Sequence, residues 1–397
     1  MNNNLKAALE RNITKLNWMG FVSGTQFHLV IFTLFILSKG FTLQQFFLIE
    51  AAGALVVLLC QLPTGAYSDK ISRKWALVIS SLIITPLIPV IILSHSFWAV
   101  LIAMGIGGIG QAFASGADIA LLYDTSKALG RQDQFKKING TFKWYGALSG
   151  AIGGIVGGIL AQFNMSYAWW AYFLASIIVL VVQLTLVAPE KESIQATTYR
   201  QHYKNSFKIA FKGNAAYFVF FSATTWLFFS LAFWLWQPYM KAISIPILFF
   251  GIVYAILNLV SGFVAKQSHI IEKKVGMLIS LMMIPLILAL AFVFQSLMIG
   301  IFGVVFLLIH TAISGYQAPV LEDYLNSRVP SENRATVLSI KNMINNALFL
   351  VLSPMLGHLV DLYSLHVAYL LMAAILVIMA IIFWKTFDSR TTTEGIK

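Results

Sequence analysis

Apolar residues run through this chain in blocks of about twenty, separated by short polar stretches, from near its first residue to near its last. A helix needs roughly 20 predominantly apolar residues to cross a bilayer core of about 30 Å. Such blocks fall at 16–38, 45–65, 75–93, 97–123, 138–163, 167–188, 215–239, 248–265, 275–294, 297–321, 336–362 and 367–384. The pattern predicts an all-α membrane protein of twelve transmembrane helices. Residues 1–15 are polar and charged, and the first apolar block is too long for a signal-peptide core, so the first span is expected to be retained.

Composition agrees: 59% of residues are hydrophobic and 11% charged, far from the balance of a soluble domain. Charge then sets an orientation, because lysine and arginine are retained on the cytoplasmic side during insertion. With both termini inside, all but Lys39 and Lys241 of the 27 lysines and arginines fall in inner segments. Topology thus accounts for the formal charge of +12, and a nucleic-acid partner is not expected. An odd number of helices would destroy the asymmetry. The expected location is the cell membrane, multi-pass and in contact with its lipids.

Organisation is bipartite: residues 1–188 as one six-helix bundle, 189–214 as a cytoplasmic linker, and 215–397 as a second bundle. In the linker, Tyr199, Tyr203, Phe207 and Phe211 recur every four residues amid Arg200, Lys204, Lys208 and Lys212. That spacing suits a basic amphipathic helix on the anionic inner leaflet; a flexible charged linker is the alternative. Sliding the second half over the first by 203 residues lays Arg334 on Arg131 and Gly357 on Gly154, and a four-residue adjustment lays Asp323 on Asp124. Two pseudo-symmetric bundles are the sequence trace of transporters that hold a solute near the midplane.

The loop after the second span reads Gly65-Ala66-Tyr67-Ser68-Asp69-Lys70-Ile71-Ser72-Arg73-Lys74. This run resembles the signature between helices two and three of the major facilitator superfamily, with Ser72 where the family usually has glycine. The resemblance implies that Asp69 caps a neighbouring helix end and that Arg73 pairs with an acid at the inner end of helix four, by position Asp124. Gly65, Asp69, Lys70, Arg73, Lys74 and Asp124 would then form a gate. Helix five carries Gly146, Gly150, Gly153 and Gly154, followed by Gly157 and Gly158. The run is similar to the motif of the family's exporters and antiporters, with Ala151 in place of proline. Simple close packing of two helices explains the glycines equally well. Where drug exporters have an arginine in helix four, this chain has Gly108 ahead of Gln111.

Ionisable and polar residues inside spans are the candidates for chemistry, because a charge in hydrocarbon is costly and faces the bundle interior or a water-filled cavity. Glu50 lies some 8 to 10 Å below the outer end of its span at 1.5 Å per residue, where a desolvated carboxyl suits a proton shuttle. Gln111, Ser115 and Asp118 share one face of a continuous helix four, and Asp118 is the second proton-coupling candidate. His28 and His310 sit mid-span in helices one and ten, which line the cavity in the family. Trp234, Gln237 and Asn258 complete the cavity candidates. Trp234, Trp236 and Tyr239, at the outer end, also suit an interfacial belt.

Cys60 is the only cysteine, so no internal disulfide and no cysteine metal site can form. No phosphate-binding loop of the GxxxxGK[ST] type is present, and no metal or nucleophile constellation lies in a span, so neither an enzyme nor a cofactor is expected. The expectation is secondary transport of a small organic solute by alternating access, as proton-coupled efflux. The alternatives are import or uniport of a metabolite, and sodium as the coupling ion. A monomer would hold the whole pathway.

Overall fold

The computed structural model describes residues 3–70, 72–189, 207–297, 300–330 and 333–387, and among them every regular element is helical. Helices are what a bilayer permits an open chain, since each backbone N–H and C=O finds its partner within the segment. In chain order they are α1 (Asn3–Gly24), α2 (Phe32–Ser38), α3 (Leu43–Lys70), α4 (Arg73–Leu93), α5 (Phe97–Ala114), α6 (Ala117–Ala128) and α7 (Phe135–Phe163). They continue as α8 (Met165–Leu184), α9 (Gly213–Ala242), α10 (Phe250–Ser296), α11 (Val304–Asn326), α12 (Arg334–Leu362) and α13 (Leu365–Thr386). Eleven stretches among the described residues are long and apolar enough to cross a membrane.

Three departures from the expected spans have local causes. The first span is broken: α1 stops at Gly24, Gln26 takes a φ of 32°, and a 3-10 turn at Leu29–Ile31 leads into α2. The fourth is also broken, correcting the continuous helix expected at 97–123; Gly116 between α5 and α6 adopts φ 73°, left-handed backbone suited to glycine. Gln111, Ser115 and Asp118 therefore do not share the face of one helix. The eighth and ninth apolar blocks merge in the 50-residue stretch Ile247–Ser296, which is interrupted at Gly276 (φ 77°, ψ 168°).

The chain divides into two compact units, Met1–Ser193 with Pro246–Ala255, and Ile194–Ile245 with Ile256–Lys397. The start of α10 thus belongs to the first unit, whereas the expected boundary placed it in the second. Of the linker, residues 190–206 lie outside the described ones; Phe207 and Phe211 stack at 6.0 Å, one helical turn apart.

In the first unit, Leu16, Met19, Leu77, Leu121, Leu122, Phe142 and Val179 form a buried apolar cluster drawn from α1, α4, α6, α7 and α8. Lipid tails are as apolar as leucine, so such helices are held by close packing rather than by escape from water. Glycines supply the closeness. A methyl group added at Gly108 in α5 would sit 2.6 Å from the Gly53 carbonyl oxygen of α3, and one added at Gly153 in α7 would overlap the Thr25 carbonyl.

Cations finish the helices. Lys15 Nζ donates to Thr185 O at 2.7 Å and Lys74 Nζ to Leu184 O at 3.0 Å, both at the C-terminus of α8. Asn12 joins them, donating Nδ2–H to Val187 O at 2.6 Å and accepting Val187 N–H at 3.0 Å. At the C-terminus of α4, Lys39 Nζ donates to Ile92 O at 2.7 Å and Ser94 O at 2.8 Å, above the Phe35 ring. These carbonyls have no partner in their own helix, and the negative dipole end favours a cation. Burial pulls the Lys39 ammonium below the usual lysine range.

The second unit is held by aromatic packing, with Tyr217 and Phe221 against Phe383 at 5.3 and 4.9 Å, and by Asn345 Nδ2 donating to Ala223 O at 3.0 Å. Two residues assigned to an interfacial belt are instead enclosed in this bundle. Trp236 is 5% exposed and Tyr239 is fully buried, its hydroxyl donating to Gly303 O at 3.3 Å.

Candidate functional site

Arg73 opens α4 and Asp124 lies in the last turns of α6, so a turn after α3 and the kink at Gly116 bring the two together. Arg73 Nε lies 3.3 Å from Asp124 Oδ2, with both side chains partly exposed. The backbone of Gly65, Asp69 and Lys70 closes α3, but their side chains lie outside the described residues. A second pair on the same unit, Arg131 to Glu10 at 3.1 Å, ties the segment after α6 to α1. Sequence reading missed Glu10, though a glutamate amid the basic residues of the first segment was a usable signal.

The second unit carries a counterpart of different chemistry. Glu272 precedes Asp323 by the 51 residues that separate Arg73 from Asp124. Tyr324, next to Asp323, donates its hydroxyl to Glu272 Oε1 at 2.7 Å. A neutral donor and an acid thus occupy the place of the ion pair, while Arg328 covers the Phe218 ring at 4.3 Å and donates to Tyr324 O at 2.8 Å.

The helix-five glycines point two ways. Gly153 and Gly157 face the break in the first span, where added methyl groups would overlap the carbonyls of Thr25 and Phe27. Gly158 faces residues 247–251 and Gly154 faces Tyr254 and Gly251, and a methyl on Gly251 would overlap the Gly154 carbonyl. Gly150 keeps ordinary distance, 3.6 Å from Gly24 O, and Gly146 has open space. The unwound backbone at 25–28 therefore needs the two glycines it presses on. Gly24, Thr25 and Gln26, a small and polar run inside an apolar span, was the signal for the break.

Glu50 lies in α3 with Oε1 buried and without a hydrogen-bond partner. His28 sits at the break between α1 and α2, its ring 4.0 Å from that of Tyr172 and 4.4 Å from that of Trp169, with Nδ1 enclosed and unpartnered. His310 in α11 is fully buried; Nδ1 accepts the Trp236 indole N–H at 3.3 Å, and the ring stacks on Phe229 at 5.2 Å. That bond fixes the neutral tautomer with its proton on Nε2, which has no partner. Gln237 is buried and Trp234 half-buried in α9, packed on Phe233 at 5.0 Å; Gln111 and Asn258 are exposed. Asp118 occupies the first turn of α6, where Oδ1 accepts the Ile119 N–H at 2.7 Å, and lines a cavity inside the first unit. The candidates thus divide between the two units: Glu50, His28, Gln111 and Asp118 on the first, and Trp234, Gln237, Asn258 and His310 on the second.

These features define a polytopic helical membrane protein with buried polar groups on broken spans. The sequence matches the profile of the Major Facilitator Superfamily over residues 16–346 and 241–397, and the chain belongs to that family. It is accordingly a multi-pass membrane transporter of small solutes and not an enzyme. No curated protein matches the sequence. Among solved structures it is similar to the nucleoside transporter NupG, at a TM-score of 0.82 and 15% identity over 96% of this chain and 100% of that one. It is also similar to a bacterial homologue of the human lysosomal transporter Spinster, inward-facing and unoccupied, at 0.70 and 16% identity over 98% of both chains. A POT family transporter in complex with a thioalcohol-conjugated peptide gives 0.70 at 12% identity over 96% of this chain and 97% of that one. At these identities the likeness is one of fold.

Proposed function

We propose that this protein is a proton-coupled secondary transporter that exports a small organic solute across the cell membrane by alternating access. The observation that carries the reading is Glu50, a carboxyl inside a span with an enclosed, unpartnered oxygen. Ionisable groups in hydrocarbon are costly to hold and mark proton or ion pathways. A proton taken up there neutralises the carboxylate and its release restores the charge, so a coupled cycle needs no other group at this position. Asp118 is the second candidate carrier.

The proposed topology has twelve crossings, with both termini and the 189–214 linker cytoplasmic, and bundles at 1–188 and 215–397. At about 1.5 Å per residue, the stretch Ile247–Ser296 is more than twice as long as a bilayer core is thick. The break at Gly276 lies near Lys266, Lys273 and Lys274, which supports a cytoplasmic turn there. Arg73 and Asp124, with Asp69, act as a latch on the inner side while the carrier is open outward.

A second reading, import or uniport of a metabolite, is favoured by Gly108. Its contacts with Gly53 O and Val56 leave no space for the arginine that drug exporters carry in helix four. The test is transport in liposomes holding the purified protein, with pooled solutes screened under a pH gradient of either sign and a pH-sensitive dye inside. Nucleosides belong in the first pool because of the likeness to NupG. Proton loss from the lumen on adding solute to outward-turned cytoplasmic faces supports export by exchange; solute entering together with protons through outward-turned outer faces supports import. Solute movement without proton movement would overturn coupling.

A further inference from the structure

Helix α9 opens and α13 closes at one end of the second unit, the cytoplasmic end in the topology proposed above, and the two meet there through aromatic rings. The Tyr217 ring lies 5.3 Å from that of Phe383 and 5.8 Å from that of Phe387, and its hydroxyl donates to Phe383 O at 3.3 Å. With Phe221, Trp384 and Leu278, which follows the break at Gly276 in α10, these residues line a groove of apolar and aromatic side chains. The one hydroxyl in its wall is committed to a carbonyl, so the groove suits hydrocarbon. Leu278 is 38% exposed and Trp384 47%, so its edges reach the protein surface.

The rim has the opposite character. Lys212 immediately precedes α9, Lys385 lies between Phe383 and Phe387, and Lys273 and Lys274 precede the Gly276 break; all four are exposed. None of them forms an ion pair among the described residues. Glu272, the acid beside them in sequence, accepts the Tyr324 hydroxyl at 2.7 Å. Because the Tyr217 ring touches both Phe383 and Phe387, Lys385 stands level with Tyr217 on the neighbouring helix, and Lys212 stands about 7 Å nearer the end of the bundle at 1.5 Å per residue. Phe211 packs back on Phe220 at 5.8 Å and stacks on Phe207, so the segment ahead of α9 lies against that helix with Lys208 exposed beside it.

A hydrocarbon groove below a rim of unpaired lysines matches an amphiphile that carries both an acyl chain and a negative charge. Aromatic side chains favour the level where headgroups meet hydrocarbon. Basic clusters at the cytoplasmic ends of spans draw anionic headgroups, whereas a zwitterionic headgroup brings no net charge to them.

We propose that this groove and its lysine rim bind an anionic phospholipid of the inner leaflet, with an acyl chain between α9, α10 and α13 and the phosphate held by Lys212 and Lys385. The bound lipid braces the end of α13 against the start of α9, apart from the proton at Glu50 and the solute.

The experiment is native mass spectrometry of the purified full-length protein, titrated in detergent with dioleoyl phosphatidylglycerol or dioleoyl phosphatidylcholine. Phosphatidylglycerol is expected to bind as a lipid adduct roughly tenfold more tightly than phosphatidylcholine, and Lys212→Gln combined with Lys385→Gln to weaken it by roughly tenfold. Arginine at both positions should retain the affinity. Lys136→Gln combined with Lys137→Gln, at exposed positions on the first unit, should leave it unchanged. Inorganic phosphate and dihexanoyl phosphatidylglycerol should not displace the long-chain lipid, which separates a lipid site from a phosphate site. Gel filtration compares each variant with the parent; if the glutamine pair does not fold, the headgroup and chain-length comparisons on the parent decide. Equal affinity for the two dioleoyl lipids would overturn the proposal, as would unchanged affinity in the folded glutamine pair, an equal loss in the Lys136 and Lys137 pair, displacement by phosphate, or a protein dimer forming in place of the adduct. The assay needs neither solute nor pH gradient, so its failure and the failure of proton-coupled transport are separate results.

Discussion

Gly153 and Gly150 belong to one motif and lie three residues apart, yet a side chain at the two positions meets different surroundings. A methyl at Gly153 overlaps the Thr25 carbonyl, while one at Gly150 makes ordinary contact with Gly24 O at 3.6 Å. Gly153→Ala should therefore lower stability by about 1–3 kcal/mol, the usual cost of overpacking, and Gly150→Ala should change it little. Thermal unfolding of the two purified variants measures the difference; equal melting temperatures would show that the helix pair relaxes around the methyl. No spacing rule distinguishes the two glycines, because the distinction is made by a break in another helix. His28 and His310 illustrate the same limit. Their depth in the spans was legible from the sequence, whereas the rings around them and the Trp236 indole on His310 come from residues far away in the chain. The Arg73–Asp124 pair was legible because the loop signature holds Arg73 and the resemblance implies an acid partner at the inner end of helix four, where Asp124 lies by position.

Helix ends carry the next level of organisation. Lys39 supplies two hydrogen bonds to the last carbonyls of α4, and replacing it by methionine removes both while keeping the length of the side chain. Lys39→Met should lose about 1–2 kcal/mol, read as a lower melting temperature, whereas Lys39→Arg should keep most of it. Arg73→Ala should shift the carrier toward its inward-open state, because a ligand or contact changes populations only through the state it favours. Cysteines on the cytoplasmic side of the cavity should then react faster with a soluble maleimide; unchanged rates would remove the latch role. The apolar blocks predicted the helices themselves, since hydrocarbon leaves the backbone no alternative. The breaks at Gln26 and Gly116 did not follow from hydropathy, which averages over a window longer than the few residues that interrupt a helix. Trp236 and Tyr239 were assigned to a belt for a related reason: their type favours interfaces, but packing in the second unit encloses them.

At the scale of the whole molecule, topology and coupling are the claims that matter. In a Cys60→Ser background, a cysteine at Lys274 should be labelled from the cytoplasmic side and one at Ser96 from outside. Labelling of both from the same side would contradict the twelve-crossing arrangement. Family and fold were readable from the chain because charge asymmetry, apolar blocks and the loop signature agree with each other. The aromatic groove beside Lys212 and Lys385 was not singled out, because its walls come from three helices far apart in the sequence. The central claim, that Glu50 carries the coupled proton, separates two activities that share one solute site. Counterflow exchange of labelled solute requires only alternating access, whereas uphill movement driven by a pH gradient requires the proton as well. The decisive measurement is therefore both assays on Glu50→Gln in liposomes, with the parent protein alongside. The account predicts that the variant retains exchange and loses pH-driven movement; uphill transport that persists in the variant would contradict it.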